Sequence, residues 1–287
     1  MGFVNYSVFY KDLKTRGLEY AAKHSRKLGF DAVEFLEVLT EQRASGCHPD
    51  SAKEVKRVLD DSGLSVSCFS VAVDLQGNGA EERTEQMMRL IEFAAKVGSP
   101  RFHHTLVPGL EFQSCVESYG TVLDRIYPRA KRIADCCAAY GIECLYEPQG
   151  CYFNGVEGLR GFYERIKGDC DNVGICGDVA NGLFADCSAR EFYDAFVDEI
   201  RHVHVKDYRM TDCPDPNKVP YVSRKGRFFY DCSLGAGVTD FHYCFEKLKQ
   251  AGYRGDISFE MAGDDREILR SMEFLKTTIK EVYGYEI

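Results

Sequence analysis

No run in the 287-residue sequence approaches the roughly 18 uninterrupted apolar residues of a membrane span, so no membrane partner is expected. Positive charge is scarce: 36 Lys and Arg face 45 Asp and Glu, giving a net charge of -9 at pH 7 with no evident basic face. A phosphate backbone is therefore a poor partner, and nucleic acid is not an expected ligand. The N-terminal MGFVNYSVFYKDLK has no basic stretch followed by a long apolar one, so no signal peptide is read. Tyr6 stands where myristoylation after Met1-Gly2 would need Ser or Thr. These absences lead to the expectation of a cytoplasmic protein. Cysteine is plentiful, at 13, yet the number is odd and no C-x-x-C pair occurs. Cys68, Cys144 and Cys176 fall inside apolar runs, where cysteine acts as a small hydrophobe. The pattern predicts core filler in a reducing setting, not a disulfide framework.

With 45% hydrophobic and 28% charged residues, the chain has the composition of a globular protein with ample core. Eight apolar runs alternate with helical patterns. FVNYSVFY precedes a helix around Leu13 to Leu28, DAVEFLE one from about Pro49 to Leu59, and LSVSCFSVAV the stretch AEERTEQMMRLIEFAAKVG. SPRFHHTLV precedes a long helix from about Tyr119 to Tyr140. IECLYEP, VGICGDVAN, RHVHVKD and DISFEM follow, with helices near 156–167, 188–199, 239–251 and 265–283. Such alternation implies βαβ units and a parallel sheet, and eight units at this length predict one α/β domain, a single (β/α)8 TIM barrel over 1–287. An open doubly wound sheet would want a Gly-rich loop after its first strand, and FVNYSVFYKD has none. The one long connection, 207–238 after the seventh strand, is expected to be a lid or insertion. It contains Arg224, Lys225 and Arg227, which either reach a substrate phosphate or decorate a solvated lid. Phe228, Phe229 and Tyr230 read as exposed aromatics suited to a possible homo-oligomer.

Barrel active sites lie at the C-terminal ends of strands, and strand side chains alternate faces, so parity selects candidates. Glu143, Leu145 and Glu147 share a face, with Glu147 nearest the mouth. Gly174, Cys176 and Asp178 do so on the sixth strand, His202, His204 and Lys206 on the seventh, and Asp256, Ser258 and Glu260 on the eighth. Glu147, Asp178, His204 and Glu260 thus converge as one divalent-metal site. His202, one step deeper, reads as a packed histidine behind His204. Three carboxylates and an imidazole without a thiolate suit Mn²⁺ first, with Mg²⁺, Co²⁺ or Zn²⁺ also accommodated. A metal with open positions can hold two neighbouring oxygens of a hydroxy-ketone and acidify the adjacent C–H.

On YEP around Glu147, GDVAN around Asp178, HVHVKD around His204, SFEM around Glu260, LGAGVTDF and AGYRGDISFE, the chain resembles the xylose isomerase-like sugar phosphate isomerase/epimerase superfamily. The resemblance covers essentially the whole chain. In the first half it rests on the strand-helix rhythm and on GFDAVE. It implies a metal-dependent TIM-barrel enzyme acting on a small sugar or polyol-derived hydroxy-ketone through an enediolate. Carried over from the family's ketose epimerases, Glu147 and Glu260 bind metal and also exchange protons with opposite faces of the substrate carbon. Asn181 falls where many relatives place a substrate-contacting His or Asn. His104, ending the fourth run, is a further candidate for holding a substrate oxygen. Lys206 either polarises a substrate oxygen or pairs with a neighbouring carboxylate, and Arg209 stands beside the position where ketose 3-epimerases carry an arginine. Those enzymes also carry Asn-Arg-Phe-Glu where this chain has Gly150, Cys151, Tyr152 and Phe153, which points away from a simple ketohexose 3-epimerase.

The nearest alternative is an inosose-dehydratase-like lyase, in which the same proton abstraction is followed by loss of a β-hydroxyl. An apurinic endonuclease would want several metals, more than the seven histidines here allow, and a DNA-binding surface. A non-catalytic sugar-binding protein would have no need of both Glu147 and Glu260.

Overall fold

The computed structural model describes residues 1–39, 47–109 and 115–285. Eight parallel strands close into a barrel: β1 (Phe3–Asn5), β2 (Ala32–Leu39), β3 (Ser65–Val73), β4 (Arg101–His104), β5 (Glu143–Tyr146), β6 (Val173–Cys176), β7 (Ile200–Val205) and, last in the chain, β11 (Ile257–Phe259), which pairs with both β7 and β1. The helices α1 (Ser7–Arg16), α2 (Leu18–Leu28), α3 (Ala52–Asp61), α4 (Ala80–Val97), α5 (Tyr119–Ala139), α6 (Gly155–Asp169), α7 (Ala189–Phe196), α8 (Phe241–Gln250) and α9 (Asp265–Tyr283) form the outer ring. None of these helices is long and apolar enough to cross a membrane.

Local chemistry sets the boundaries. Ser188 and Asp264 open α7 and α9 with reciprocal capping boxes to Glu191 and Glu267. The run FVNYSVFY, read from the sequence as one strand, divides: only Phe3–Asn5 is extended, and Ser7 already starts α1. Gly17, at φ 85° and ψ 170°, breaks the single predicted helix into α1 and α2, in a backbone region that only glycine occupies without strain.

The main core lies between strands and helices. Its centre is an aromatic stack in which Phe69 lies flat on Phe35 and Phe102, with ring centroids 5.5 and 5.8 Å apart, while the edge of Phe93 closes the group. Inside the barrel the apolar filling is much smaller: Cys68, Leu145 and Cys176 form a separate buried cluster. Beyond them the lumen becomes polar. A register shift between Val33 and Glu34 of β2 against β3 marks a bulge at Ser67, which leaves Glu34 and Cys68 facing the lumen together.

The long segment after β7 is not an irregular lid. β8 (Asp207–Thr211), β9 (Tyr221–Val222) and β10 (Phe228–Cys232) form a separate antiparallel sheet in the order β8-β10-β9. Its aromatic face packs on Phe184, with Tyr208, Tyr221 and Phe229 around that ring. This overturns the reading of Phe229 and Tyr230 as exposed: Phe229 is buried against Phe184 in the loop after β6, and Tyr230, on the opposite face of the strand, is buried with its hydroxyl accepting the backbone N–H of Asp215. The expectation of thiols throughout also fails at one pair. Cys115 and Cys151 are joined by a disulfide between the loops after β4 and β5. Proximity across two loops, 36 residues apart in the chain, leaves no trace in local spacing. Gly150 brings those loops together: at φ 78°, a Cβ there would stand 2.0 Å from the carbonyl oxygen of Val107.

Candidate active site

Four strand ends bring Glu147, Asp178, His204 and Glu260 together, with one donor atom from each lying within 4.8 Å of the others. His204 Nδ1 lies centrally, 3.3 Å from Glu147 Oε2 and 3.1 Å from Glu260 Oε2. Asp178 is held by its own loop, since Oδ1 accepts the backbone N–H groups of Ala180 and Asn181, while Oδ2 makes no hydrogen bond. Glu147 Oε2, Asp178 Oδ2, His204 Nδ1 and Glu260 Oε2 are all buried without a hydrogen-bond partner. Orphaned polar atoms at this depth are costly, and four of them converging is what a cation would repay. Oxygen and nitrogen bonds of roughly 2.0–2.2 Å place donors at most about 4.4 Å apart, so a contraction of a few tenths of an ångström would suffice. The donors therefore fit a small divalent metal.

The electrostatics agree with that donor set. Burial pushes the Asp178 carboxyl up, to about 6, against the pull of Lys206. Burial also acts to raise Glu260, but Lys206 and His204 outweigh it and bring its pKa down to about 2. For His204, burial disfavours the charged form, yet Cys176, Glu34 and Glu147 hold its pKa well above the ordinary value. Without a metal, a proton on His204 and the Lys206 ammonium partly neutralise the three carboxylates. Lys206 Nζ lies 3.1 Å from Asp178 Oδ2 and 2.9 Å from Glu260 Oε2. These contacts are at ion-pair distance without hydrogen-bond alignment, which is why both oxygens remain orphaned.

The other sequence candidates divide. Asn181 is buried at the start of a 3-10 turn, with its side-chain nitrogen unpartnered. Arg209 is exposed on β8, on the opposite face from the buried Tyr208. His104 does not reach the cluster. It packs edge-on against Tyr146 in the layer outside the barrel, and its Nδ1 binds the Thr105 carbonyl oxygen. Its neighbour His103 faces inward instead, with Nε2 3.4 Å from Glu147 Oε1 and Nδ1 3.0 Å from Ser70 Oγ. The correction is one of parity: adjacent residues of β4 face opposite sides, and His103, not His104, takes the inward one. Of the basic residues of the long loop, Arg224 turns to protein, its Nη2 donating to the Cys151 carbonyl oxygen, while Lys225 and Arg227 are exposed.

Glu34 was not singled out from the sequence. It is fully buried and accepts from Ser70 and Ser258, while His202 Nε2 and His204 Nε2 lie 2.8 and 3.0 Å from its carboxylate. It ends GFDAVE and sits mid-run in DAVEFLE, away from any strand tip, and only that motif marks it. Tyr6 was also missed; its ring packs 5.1 Å from that of His204.

The fold and this mouth-facing cluster define a barrel of one class. The model of the xylose isomerase-like TIM barrel family matches residues 22–278, and the chain belongs to that family. No curated protein matches the sequence significantly. Among solved structures, a xylose isomerase domain protein from Planctomyces limnophilus is similar at 17% identity and TM-score 0.75, covering 99% of this chain and 98% of that one. A xylose isomerase-like TIM barrel protein from Mycobacterium smegmatis, in complex with magnesium, is similar at 17% identity and TM-score 0.71, covering 98% and 97%. The 3-keto-D-glucoside 4-epimerase from E. coli is similar at 20% identity and TM-score 0.69, covering 96% and 99%. At these identities the likeness establishes a shared fold.

Proposed function

We propose that the chain is a divalent-metal-dependent isomerase or epimerase that moves a proton next to the carbonyl of a sugar or related hydroxy-ketone. The observation that carries this reading is the convergence of four buried, orphaned donor atoms at the barrel mouth. Glu147, Asp178, His204 and Glu260 would hold the metal, with Mn²⁺ the first choice. The metal supplies polarisation of a substrate carbonyl, which acidifies the adjacent C–H. Family membership and the sugar epimerase among the similar structures support the substrate class.

The side chains divide the remaining work. Glu147 and Glu260 flank His204 Nδ1 from β5 and from the end of β11, so their carboxylates approach a bound substrate from different sides. One removes the proton and the other returns one, which inverts or relocates the stereocentre. Asp178, locked by two backbone N–H groups, serves only as an anchor. Asn181 offers its amide to a substrate hydroxyl. Lys206 can neutralise charge developing on a substrate oxygen. Its ammonium beside Glu260 is also the one feature favouring the lyase reading, since it can protonate a departing hydroxyl.

Incubation in heavy water with Mn²⁺, screened over ketoses, inososes and oxidised glycosides, tests the assignment. Deuterium should enter at the abstracted carbon with the carbon skeleton and hydroxyl count retained; loss of water would mark a lyase. Glu147→Gln and Glu260→Gln should each abolish exchange in a folded protein. Unchanged exchange in either variant removes that residue from the chemistry.

A further inference from the structure

Glu34 takes no part in the mechanism above, yet it is the most heavily hydrogen-bonded side chain around the site. Ser70 Oγ donates to Oε1, Ser258 Oγ donates to Oε2 at 2.6 Å, and the two imidazole Nε2 atoms of His204 and His202 complete the set at 3.0 and 2.8 Å. Each carboxylate oxygen thus has two neighbours, one serine hydroxyl and one imidazole nitrogen, which is the four-acceptor pattern of an ionised carboxylate. An ionised carboxylate only accepts hydrogen bonds, so every one of these partners is a donor.

The donor assignments then propagate. His204 keeps its proton on Nε2, so the proton that a cation displaces is the one on Nδ1, and the Nδ1 lone pair is what then faces the cation site. Ser70 has a single hydroxyl proton, already committed to Glu34. Its contact with His103 must therefore be Nδ1–H of His103 donating to Oγ. A neutral His103 is left with a bare Nε2, which is buried, unpartnered and 3.4 Å from Glu147 Oε1. Two acceptors at that distance repel unless a donor enters between them. A hydroxyl of a polyhydroxylated substrate, next to the carbon that Glu147 serves, is such a donor.

We propose that Glu34 is a positioning residue that fixes the tautomers of two histidines, turning the Nδ1 lone pair of His204 to the cation and, through Ser70, the Nε2 lone pair of His103 to a substrate hydroxyl. The inference rests on the functional reading above for the identity of cation and substrate. The tautomer of His103 stands apart from it.

Three measurements on the full chain test the proposal. Mn²⁺ alone is titrated into wild type, Glu34→Gln and Ser70→Ala, with free Mn²⁺ read by electron paramagnetic resonance. Glu34→Gln should bind about 10- to 100-fold more weakly, the range typical of a lost outer partner of a metal-binding histidine. Ser70→Ala should stay within about threefold of wild type, the same order of magnitude by that yardstick. Wild type that binds Mn²⁺ together with an unaltered Glu34→Gln overturns the His204 half. Wild type that fails to bind Mn²⁺ overturns that half and the metal reading with it. Nitrogen-15 histidine spectra need neither metal nor the Glu34 variant to fold. They should show His103 protonated on Nδ1 in wild type and a mixture of tautomers in Ser70→Ala, whereas an Nε2–H signal in wild type overturns the His103 half. Finally, His103→Phe should bind Mn²⁺ as wild type does yet lose deuterium exchange at least tenfold, and unchanged exchange removes the substrate contact.

Discussion

The two buried layers of this barrel are equally inaccessible and chemically opposite. Between strands and helices lie Phe35, Phe69, Phe93 and Phe102, whose rings satisfy one another by stacking and edge contacts. In the lumen, above the small Cys68, Leu145 and Cys176 cluster, lie Glu34, Glu147, Asp178, His103, His202, His204 and Lys206, each at most 6% exposed. The outer layer holds the fold together. The inner layer is tolerated because Glu34 is saturated by donors, while the orphaned tips wait for a cation. Adjacent residues fall on opposite sides of the divide: His103 and His104, Tyr146 and Glu147.

Substituting across that divide should separate activity from stability. Glu147→Gln should lower proton exchange by about 10²–10⁴-fold, the usual contribution of a positioned acid or base. The melting temperature of the metal-free protein should stay level or rise, since one of three mutually repelling carboxylates is removed. Phe69→Ala should do the reverse. It leaves a cavity between Phe35 and Phe102 and should cost about 3–5 kcal/mol of unfolding free energy in urea, while Mn²⁺ affinity of the folded fraction is retained. A Glu147→Gln protein that is unstable, or a Phe69→Ala protein that is stable but cannot bind Mn²⁺, would erase the distinction between the layers.

The same divide explains what was legible in the sequence. The barrel could be read because eight apolar runs alternated with amphipathic ones, and the chain's parity counting brought Glu147, Asp178, His204 and Glu260 to one place. Parity failed on β4 because SPRFHHTLV offers two histidines, and the apolar run extends past the last paired residue, His104. Choosing the outermost histidine then selected the wrong face. Glu34 was missed for a different reason. A buried charge away from a strand tip is expensive without a partner, so sequence parity points to the tips. Its partners come from β3, β7 and β11, a convergence visible only once the barrel is closed. The Cys115–Cys151 pair and the small sheet over 207–232 depend on contacts just as remote.

Acidity sharpens the comparison further, through a carboxyl group of the inner layer. Asp178, raised to about 6 by burial, binds a proton more tightly folded than unfolded. Its contribution to metal-free stability therefore falls as pH rises from its unfolded value near 4 through 6. Cation binding runs the other way. Mn²⁺ must displace the His204 proton, so its affinity should rise about tenfold per pH unit above 6. Below about 6, Asp178 must also be deprotonated, and the slope should approach a hundredfold per unit. Calorimetric titrations from pH 5 to 8 would show the break, and a single slope throughout would mean that Asp178 is not a ligand.

The smallest expected effect tests the edge of the inner layer. Arg209 was a sequence candidate for substrate contact, yet it is exposed on β8, where alternation turns it away from Tyr208 and the Phe184 ring. An exposed guanidinium on the outer face of the small sheet neither orders the mouth nor meets a substrate held by Glu147 and Glu260. Arg209→Ala should change stability by less than about 0.5 kcal/mol, as surface substitutions usually do. Its rate of deuterium exchange should stay within about twofold of wild type, the factor that corresponds to that energy at one tenfold per 1.4 kcal/mol. A tenfold loss would mean that the sheet over 207–232 turns this face inward when substrate binds, which would place the boundary of the active site beyond the barrel and in the insertion itself.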